Sequence, residues 1–160
     1  MLPKLNTLLY ACDLETHTQS AIELVFSLAL THQAKVIFMH VMEPLNPQAA
    51  TMIHNYINDD VLESMRKEAK EQVQNRLDDA LQGFLTQYQD SVKQLTYAPE
   101  TLIVSGSPAD SIQQIAKQHQ ADLIIMNSRT HSTLGQMLLG STANKVIHSS
   151  DIPVLVVPIK

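Results

Sequence analysis

Short apolar runs alternate along this chain with longer segments in which apolar residues recur every three or four positions. The short runs are typical of buried strands, and the longer segments are typical of helices that bury one stripe. We expect five strands, at residues 5–12, 35–42, 101–104, 121–126 and 152–158. Glu43-Pro44 ends the second run, because proline has no N–H to donate to a neighbouring strand.

Four segments between these runs have helical periodicity. The first follows Thr16 or Thr18, either of which can cap it. The second is long and covers residues 59–85, with acidic residues at its start, where the helix dipole favours them. The third begins at Pro108, and the fourth covers Ser141–Ser149. Residues 45–58 contain a proline and three asparagines and are predicted to form a loop.

The elements alternate between strand and helix along the whole chain. Strands that are apolar throughout, joined by crossovers that contain a helix, indicate a parallel sheet covered on both faces. We therefore predict an α/β fold with an open five-stranded parallel sheet of order 3-2-1-4-5 and helices on both faces. A chain of 160 residues without a repeat or a composition shift fits one domain over residues 1–160.

Composition narrows the location and the partners. The formal net charge is −5 and no run of Lys or Arg is present, so we expect no nucleic-acid partner. A lone Cys12 excludes an internal disulfide and favours a reducing compartment. The start of the chain lacks a signal-peptide pattern, and the apolar stretch at residues 21–30 is too short to span a bilayer. We expect a cytoplasmic protein with no membrane partner.

A ligand site is expected beyond the carboxyl ends of the central strands, where open parallel sheets bind ligands. Asp13 follows the first strand, and residues 127–130 follow the fourth. Gly140-Ser141 then opens a helix, whose unpaired N–H groups and partial positive charge attract phosphate. The alternative is that Gly140-Ser141 forms only a turn and a helix cap.

Other kinds of site find little support. The seven histidines lack the close pairing of zinc ligands, and we predict no metal. His40, on a buried strand, is expected to be a hydrogen-bonded core residue. The segment around Gly106-Ser107-Pro108 lacks the second glycine of a nucleophile elbow, so we predict no catalytic residue of a hydrolase.

Several segments, taken in order, resemble the universal stress protein family over nearly the whole chain. They are the first strand ending in Asp13, His40-Val-Met-Glu-Pro44, Ser105-Gly-Ser-Pro108, Asp122-Leu-Ile-Ile-Met126, Leu138-Leu-Gly-Ser-Thr-Ala-Asn-Lys-Val146 and Ile152-Pro-Val-Leu-Val-Val-Pro158. ATP-binding members of that family carry Gly-x2-Gly-x9-Gly-Ser/Thr. Here Gly140 and Ser141 match its end, whereas Asn127 and Thr130 replace its first two glycines.

The resemblance implies a site for ATP or a related adenine nucleotide, with Mg²⁺ as a possible companion. It implies Asp13, Val41 and Asn127 for the adenine and ribose, and Thr130, Gly140, Ser141 and Thr142 for the phosphates. We add Ala11, Met126 and the flanking Arg129 to the predicted binding residues. Asp13 either bonds to the nucleotide or caps the following helix. Arg129 either supplies positive charge or is merely solvated.

The two lost glycines differ in their expected cost. Asn tolerates left-handed backbone angles, so Asn127 would preserve a turn there, and its amide is able to bond to a ribose. Thr130 is β-branched and resists a positive φ, which would cost about 1–3 kcal/mol if the loop requires one. That cost corresponds to roughly 5- to 150-fold weaker binding.

We predict a dimeric, ATP-binding regulatory protein of the stress response, with at most slow ATP hydrolysis. The resemblance implies a homodimer through the last strand, from Pro153 to Pro158, whose apolar edge is suited to pairing. The alternative is a universal stress protein that has lost nucleotide binding and acts as a dimeric protein-interaction module. Thr130 is the main support for that alternative.

Overall fold

Five parallel strands form the centre of the molecule in the computed structural model, which describes residues 1–14, 18–128 and 139–159. The strands are β1 (Thr7–Ala11), β2 (Lys35–Met42), β3 (Glu100–Ser105), β4 (Leu123–Ser128) and β5 (Val154–Pro158). They pair in the order β3-β2-β1-β4-β5. This confirms the predicted open parallel sheet of order 3-2-1-4-5, with β1 at its centre.

Helices cover both faces of the sheet. In the described residues they are α1 (Gln19–His32), α2 (Pro47–Tyr56), α3 (Asp59–Gln87), α4 (Gln89–Val92), α5 (Pro108–Gln118) and α6 (Ser141–Ser149). One buried cluster joins α1 and α3 to the sheet, and a second joins α5 and α6 to the opposite face. Helices α5 and α6 each follow one parallel strand and precede the next. Their N-termini therefore lie at the carboxyl edge of the sheet.

Aromatic side chains fix α1 and α3 on the sheet. Phe38 of β2 meets Tyr10 of β1 edge to face, with ring centroids 5.2 Å apart. Phe26 of α1 stacks on Phe84 of α3 at 4.5 Å, and Phe84 stacks in turn on Tyr88. Such pairs contribute beyond the area they bury, and they place the long helix α3 against α1, whose Phe26 also contacts Phe38 of β2.

The prediction of a loop at residues 45–58 is wrong, because Pro47–Tyr56 forms helix α2. Asn46 caps this helix by accepting a hydrogen bond from the Ala49 N–H at 2.8 Å, and Pro47 occupies its first turn. The helix buries none of its residues. It therefore lacks a buried apolar stripe, which is the feature by which a helix is recognised in a sequence.

The turn before α5 needs a glycine. Gly106 has φ of 152°, and a Cβ built there would lie 2.8 Å from the Ser111 Oγ. Its N–H donates to the Met42 carbonyl at the end of β2. The turn thereby brings Pro108, which begins α5 as predicted, to the carboxyl edge of the sheet.

Candidate functional site

A cleft with a cavity volume of about 120 Å³ opens at the carboxyl edge of the sheet. It lies between the ends of β1, β2 and β4 and the N-termini of α5 and α6. Among the described residues its lining comprises Ala11, Cys12, Asp13, Met39, His40, Val41, Glu43, Pro108, Ile112, Met126, Asn127, Gly140, Ser141, Thr142 and Ala143. Eight of the ten predicted site residues are in this set. The other two, Arg129 and Thr130, lie outside the described residues.

The floor of the cleft is apolar. Ala11 of β1 pairs in register with Met39 of β2 and Met126 of β4, and all three belong to the apolar cluster under α5 and α6. Val41 extends this floor along β2, and Ile112 of α5 closes it from above. A surface of this kind suits a flat, largely apolar ring, which it can cover on one face.

The chain leaves β1 through a strained conformation. Leu14 has φ of 61°, in the left-handed region that costs a residue with a Cβ about 1–2 kcal/mol. Two contacts hold the segment: the Cys12 N–H donates to the Met39 carbonyl at 2.8 Å, and the Arg76 guanidinium of α3 donates to the Leu14 carbonyl at 3.0 Å. Asp13 lies between these anchored residues and lines the cleft.

His40 fixes the same segment from β2. Its Nδ1 lies 2.7 Å from the Cys12 carbonyl oxygen, which can only accept, so Nδ1 carries the proton. The neutral ring then has Nε2 as an acceptor. The side chain is half-buried, and the predicted hydrogen bond is confirmed, although the ring also lines the cleft.

Cys12 is a poor nucleophile in this setting. The residue is 4% exposed, and burial raises the pKa of its thiol from 9.0 to about 11. The thiolate is the reactive form, so the thiol stays protonated and inert near neutral pH.

Asn127 lies inside β4 and not in a turn beyond it. It pairs in register with Val157 of β5, and its φ is not positive, so the expected left-handed backbone is absent. Its Oδ1 accepts a 2.7 Å hydrogen bond from the buried Tyr10 hydroxyl. The residue is only 7% exposed, and its Nδ2 has no hydrogen-bond partner among the described residues. Asn127 therefore borders the cleft at the end of β4, while its side chain is directed to the face of the sheet that contains Tyr10.

The start of α6 forms the opposite wall. Gly140 takes the N-cap position with an extended backbone and accepts the Asn144 N–H at 2.9 Å. Because glycine has no side chain to cap the helix, the first-turn N–H groups at residues 141–143 have no partner within α6. Donors of this kind, together with the helix dipole and the hydroxyls of Ser141 and Thr142, are suited to an anion.

A polar seam joins α5 to α6 beside this wall. Its three contacts are Lys145–Asp110 at 3.0 Å, Gln113–Ser149 at 2.8 Å and Lys117–Asp151 at 2.9 Å. The hydrogen bond from Lys145 lowers the pKa of Asp110, and one from Ser107 contributes. Of these contacts, the Lys145–Asp110 pair lies nearest the helix N-termini at the cleft.

Sequence reasoning missed part of this lining. Glu43, Pro108 and Ile112 face the cleft, and so does Ala143. The predicted sheet order could have indicated Pro108 and Ile112. Because α5 joins β3 to β4, it must pass over β2 and β1, and its first turns then lie beside the cleft. Glu43 follows β2 directly, and its position at a strand end is a similar signal.

Two further searches cover the described residues only. No group of three or more His, Cys, Asp or Glu side chains there is arranged to hold a metal ion. None of the helices in that part of the chain is both long and apolar enough to cross a bilayer.

Comparison with known proteins gives the family. The family model "Universal stress protein family" matches residues 4–158. A universal stress protein of Thermus aquaticus is 28% identical over 154 residues, which are 95% of this chain and 98% of that protein. Universal stress protein MJ0577 of Methanocaldococcus jannaschii is 26% identical over 94% of this chain and 93% of its own length.

Solved structures agree with this assignment. The structure of MJ0577 superposes with a TM-score of 0.68 at 26% identity and covers 99% of both chains. A universal stress protein solved in complex with cAMP has a TM-score of 0.59 at 20% identity, which shows the shared fold. The match over residues 4–158, together with these relatives, shows that the chain belongs to the universal stress protein family.

Proposed function

We propose that this protein is a regulatory protein of the stress response that binds ATP or a related adenine nucleotide in the cleft. The observation that carries the proposal is the convergence of eight of the ten predicted residues, from three strands and a helix start, on a single cleft. They are Ala11, Asp13, Val41, Met126, Asn127, Gly140, Ser141 and Thr142.

The chemistry of the cleft fits the parts of a nucleotide. The apolar floor at Ala11, Val41 and Met126 suits an adenine ring. Asp13 lines the cleft and offers a carboxylate to adenine or ribose donors. The first turn of α6 offers N–H groups to a phosphate.

A relative supports this ligand class. A universal stress protein of the same fold has been solved with cAMP, an adenine nucleotide. In this chain the phosphate groups would contact Gly140, Ser141 and Thr142, and Mg²⁺ would accompany a triphosphate.

The proposal assigns binding and at most slow hydrolysis. The titratable side chains among the described lining residues are Cys12, Asp13, His40 and Glu43. Cys12 is a protonated thiol at neutral pH, and the Nδ1 of His40 is committed to a carbonyl. This arrangement supports recognition better than efficient turnover. A cytoplasmic location, where adenine nucleotides are abundant, is part of the proposal.

A homodimer through the residues from Pro153 to Pro158 is also proposed. β5 is at the edge of the sheet, and its Val154, Leu155 and Val156 are half-buried without a covering strand among the described residues. An apolar edge strand of this kind is suited to pairing with a second copy, and the prolines limit its length. Sedimentation velocity should give a dimer, and a monomer at high concentration would refute this part.

The test of nucleotide binding starts from the purified protein. After denaturation, chromatography should detect released ATP, ADP or AMP, and calorimetric titration should show heat with ATP and Mg²⁺. Asp13→Ala should weaken ATP binding at least about tenfold by removing a charged hydrogen-bonding partner. Asp60→Ala, on the exposed start of α3, is the control and should have no effect. No released nucleotide and no heat at millimolar ATP would refute the proposal.

An interaction module is the second candidate. Large apolar side chains on α2 and the start of α3 are at least half exposed: Met52, Tyr56, Val61 and Met65. Exposed apolar patches mark surfaces for other proteins. Failure of nucleotide binding, combined with an intact fold, would favour this candidate.

A further inference from the structure

None of the described residues at the phosphate end of the cleft is a lysine or an arginine, and the predicted Arg129 lies outside the described residues. Among the described residues that line it, the acidic side chains are Asp13 and Glu43, and no Lys or Arg is present. A helix N-terminus carries only about half a unit charge. A phosphorylated ligand carries at least one full negative charge, so a cation close to the α6 start would improve its binding.

Lys145 is placed to supply that charge. It lies four residues after Ser141, so both side chains are on the same face of α6. Side chains in a helix lean toward its N-terminus, which directs the Lys145 stem to the end of α6 that borders the cleft. Its Nζ lies 3.0 Å and 3.2 Å from the two carboxylate oxygens of Asp110. Asp110 is in the first turn of α5, two residues after the cleft residue Pro108.

The contact between Lys145 and Asp110 is easily exchanged. The side chains are 56% and 64% exposed, and exposed ion pairs contribute little to stability. Asp110 also remains favourable without its partner, because a carboxylate in the first turn complements the dipole of α5 and receives the Ser107 hydrogen bond. The lysine therefore loses little when it leaves, and a phosphate offers it a higher negative charge than one carboxylate.

We propose that Lys145 transfers from Asp110 to the phosphate groups of the bound nucleotide. Lys145 is then a specificity-determining residue that favours phosphorylated adenosine over adenosine, and Asp110 holds it beside the cleft until the ligand arrives. This inference rests on the proposed nucleotide-binding function. It concerns one side chain whose loss leaves the adenine floor untouched.

The seam between α5 and α6 supplies the control. Lys117 pairs with Asp151 at 2.9 Å in the same seam, but near the C-terminus of α5 and away from the cleft. Lys145→Met and Lys117→Met each remove one charge and one ion pair while they keep most of the apolar stem. Asp110→Asn removes the competing carboxylate and leaves Lys145 in place.

The experiment is calorimetric titration of the whole protein and the three variants with ATP, AMP and adenosine. Lys145→Met should weaken ATP binding about tenfold and leave adenosine binding unchanged, with AMP between them. Asp110→Asn should strengthen ATP binding at least about twofold, because a nearby negative charge is removed. Lys117→Met should match the wild type with every ligand.

Four results would overturn the inference, and three of them concern the lysine variants. They are equal ATP affinity in Lys145→Met and the wild type, an equal loss for ATP and adenosine in Lys145→Met, and an equal ATP loss in Lys117→Met. Weaker ATP binding by Asp110→Asn would also overturn it, since the intact pair would then be the requirement. A wild-type protein that binds neither ATP nor adenosine would refute the proposed function itself. If the wild type binds both ligands, the comparisons between the variants and the wild type test the role of Lys145.

Discussion

Restoring the family's glycine at position 127 should destabilise this protein. Asn127 Oδ1 accepts the hydroxyl of Tyr10 at 2.7 Å, and Tyr10 has no exposed surface. Asn127→Gly leaves that hydroxyl buried without its acceptor, which costs about 1–3 kcal/mol. Glycine within a strand costs roughly another 0.5–1 kcal/mol through backbone entropy. The expected loss in free energy of unfolding is therefore about 1.5–4 kcal/mol.

A double-mutant cycle separates the two contributions. Tyr10→Phe removes the hydroxyl and leaves the Asn127 amide without its partner, and in that background Asn127→Gly no longer strands a buried donor. We expect the double variant to be more stable than the sum of the two losses predicts, by about 1–2 kcal/mol. The residual loss should approach the strand-glycine cost alone.

Urea unfolding at neutral pH, followed by circular dichroism, measures all four proteins. In thermal melts Asn127→Gly should lower the Tm by about 3–16 °C, since 1 kcal/mol corresponds to roughly 2–4 °C at this size. Additive losses in the cycle would show that the Tyr10–Asn127 hydrogen bond does not stabilise the fold. An unchanged Tm in Asn127→Gly would refute the whole argument.

Three further predictions test the turn before α5, the buried thiol and the cleft floor. Gly106→Ala should lower the free energy of unfolding in urea by about 1–3 kcal/mol, because of the positive φ and because the new Cβ would lie 2.8 Å from the Ser111 Oγ. The control Gly83→Ala, in open space on α3, should raise it by about 0.5–1 kcal/mol. Burial raises the pKa of the Cys12 thiol from 9.0 to about 11, so as the pH rises this thiol ionises in the unfolded chain before it ionises in the folded protein. The free energy of unfolding of the wild type should therefore fall between pH 9 and pH 11. Urea unfolding of Cys12→Ala over the same pH range should show a smaller decline. Ala11→Met should fill the cleft floor and weaken ATP binding at least about tenfold by calorimetry, and Ala80→Met on the exposed face of α3 should not.

The sequence predicted the sheet well because parallel strands leave a simple signal. β2, at Lys35–Met42, and α6, at Ser141–Ser149, begin and end where the apolar pattern and the flanking Pro, Gly and Ser residues indicated. The same reasoning failed at α2, which buries no residue and has no apolar stripe. Its cap at Asn46 was visible in the sequence, but an asparagine before a proline equally indicates a turn.

The end of β4 shows a different limit. Asn127 and Ser128 are polar, and polarity after an apolar run predicts that a strand has ended. In the structure the pairing with β5 continues to Ser128 and Pro158. Strand alternation then places Asn127 on the same face as Tyr10, where a hydrogen bond compensates its burial. A single sequence cannot reveal that partner, because the two residues are 117 positions apart.

The two walls of the cleft are held by contacts of very different strength. On the β1 side, the Cys12 N–H donates to the Met39 carbonyl, and His40 and Arg76 donate to the carbonyls of Cys12 and Leu14. Such contacts are required to hold Leu14 at its left-handed φ. On the α6 side, the neighbouring polar contact is an exposed ion pair between Lys145 and Asp110. A ligand that binds both walls therefore meets a preorganised β1 segment and an adjustable charge beside α6. Because only the second wall has a contact that is easily exchanged, recognition of the phosphate should depend on Lys145, and recognition of the adenine should depend on the fold itself.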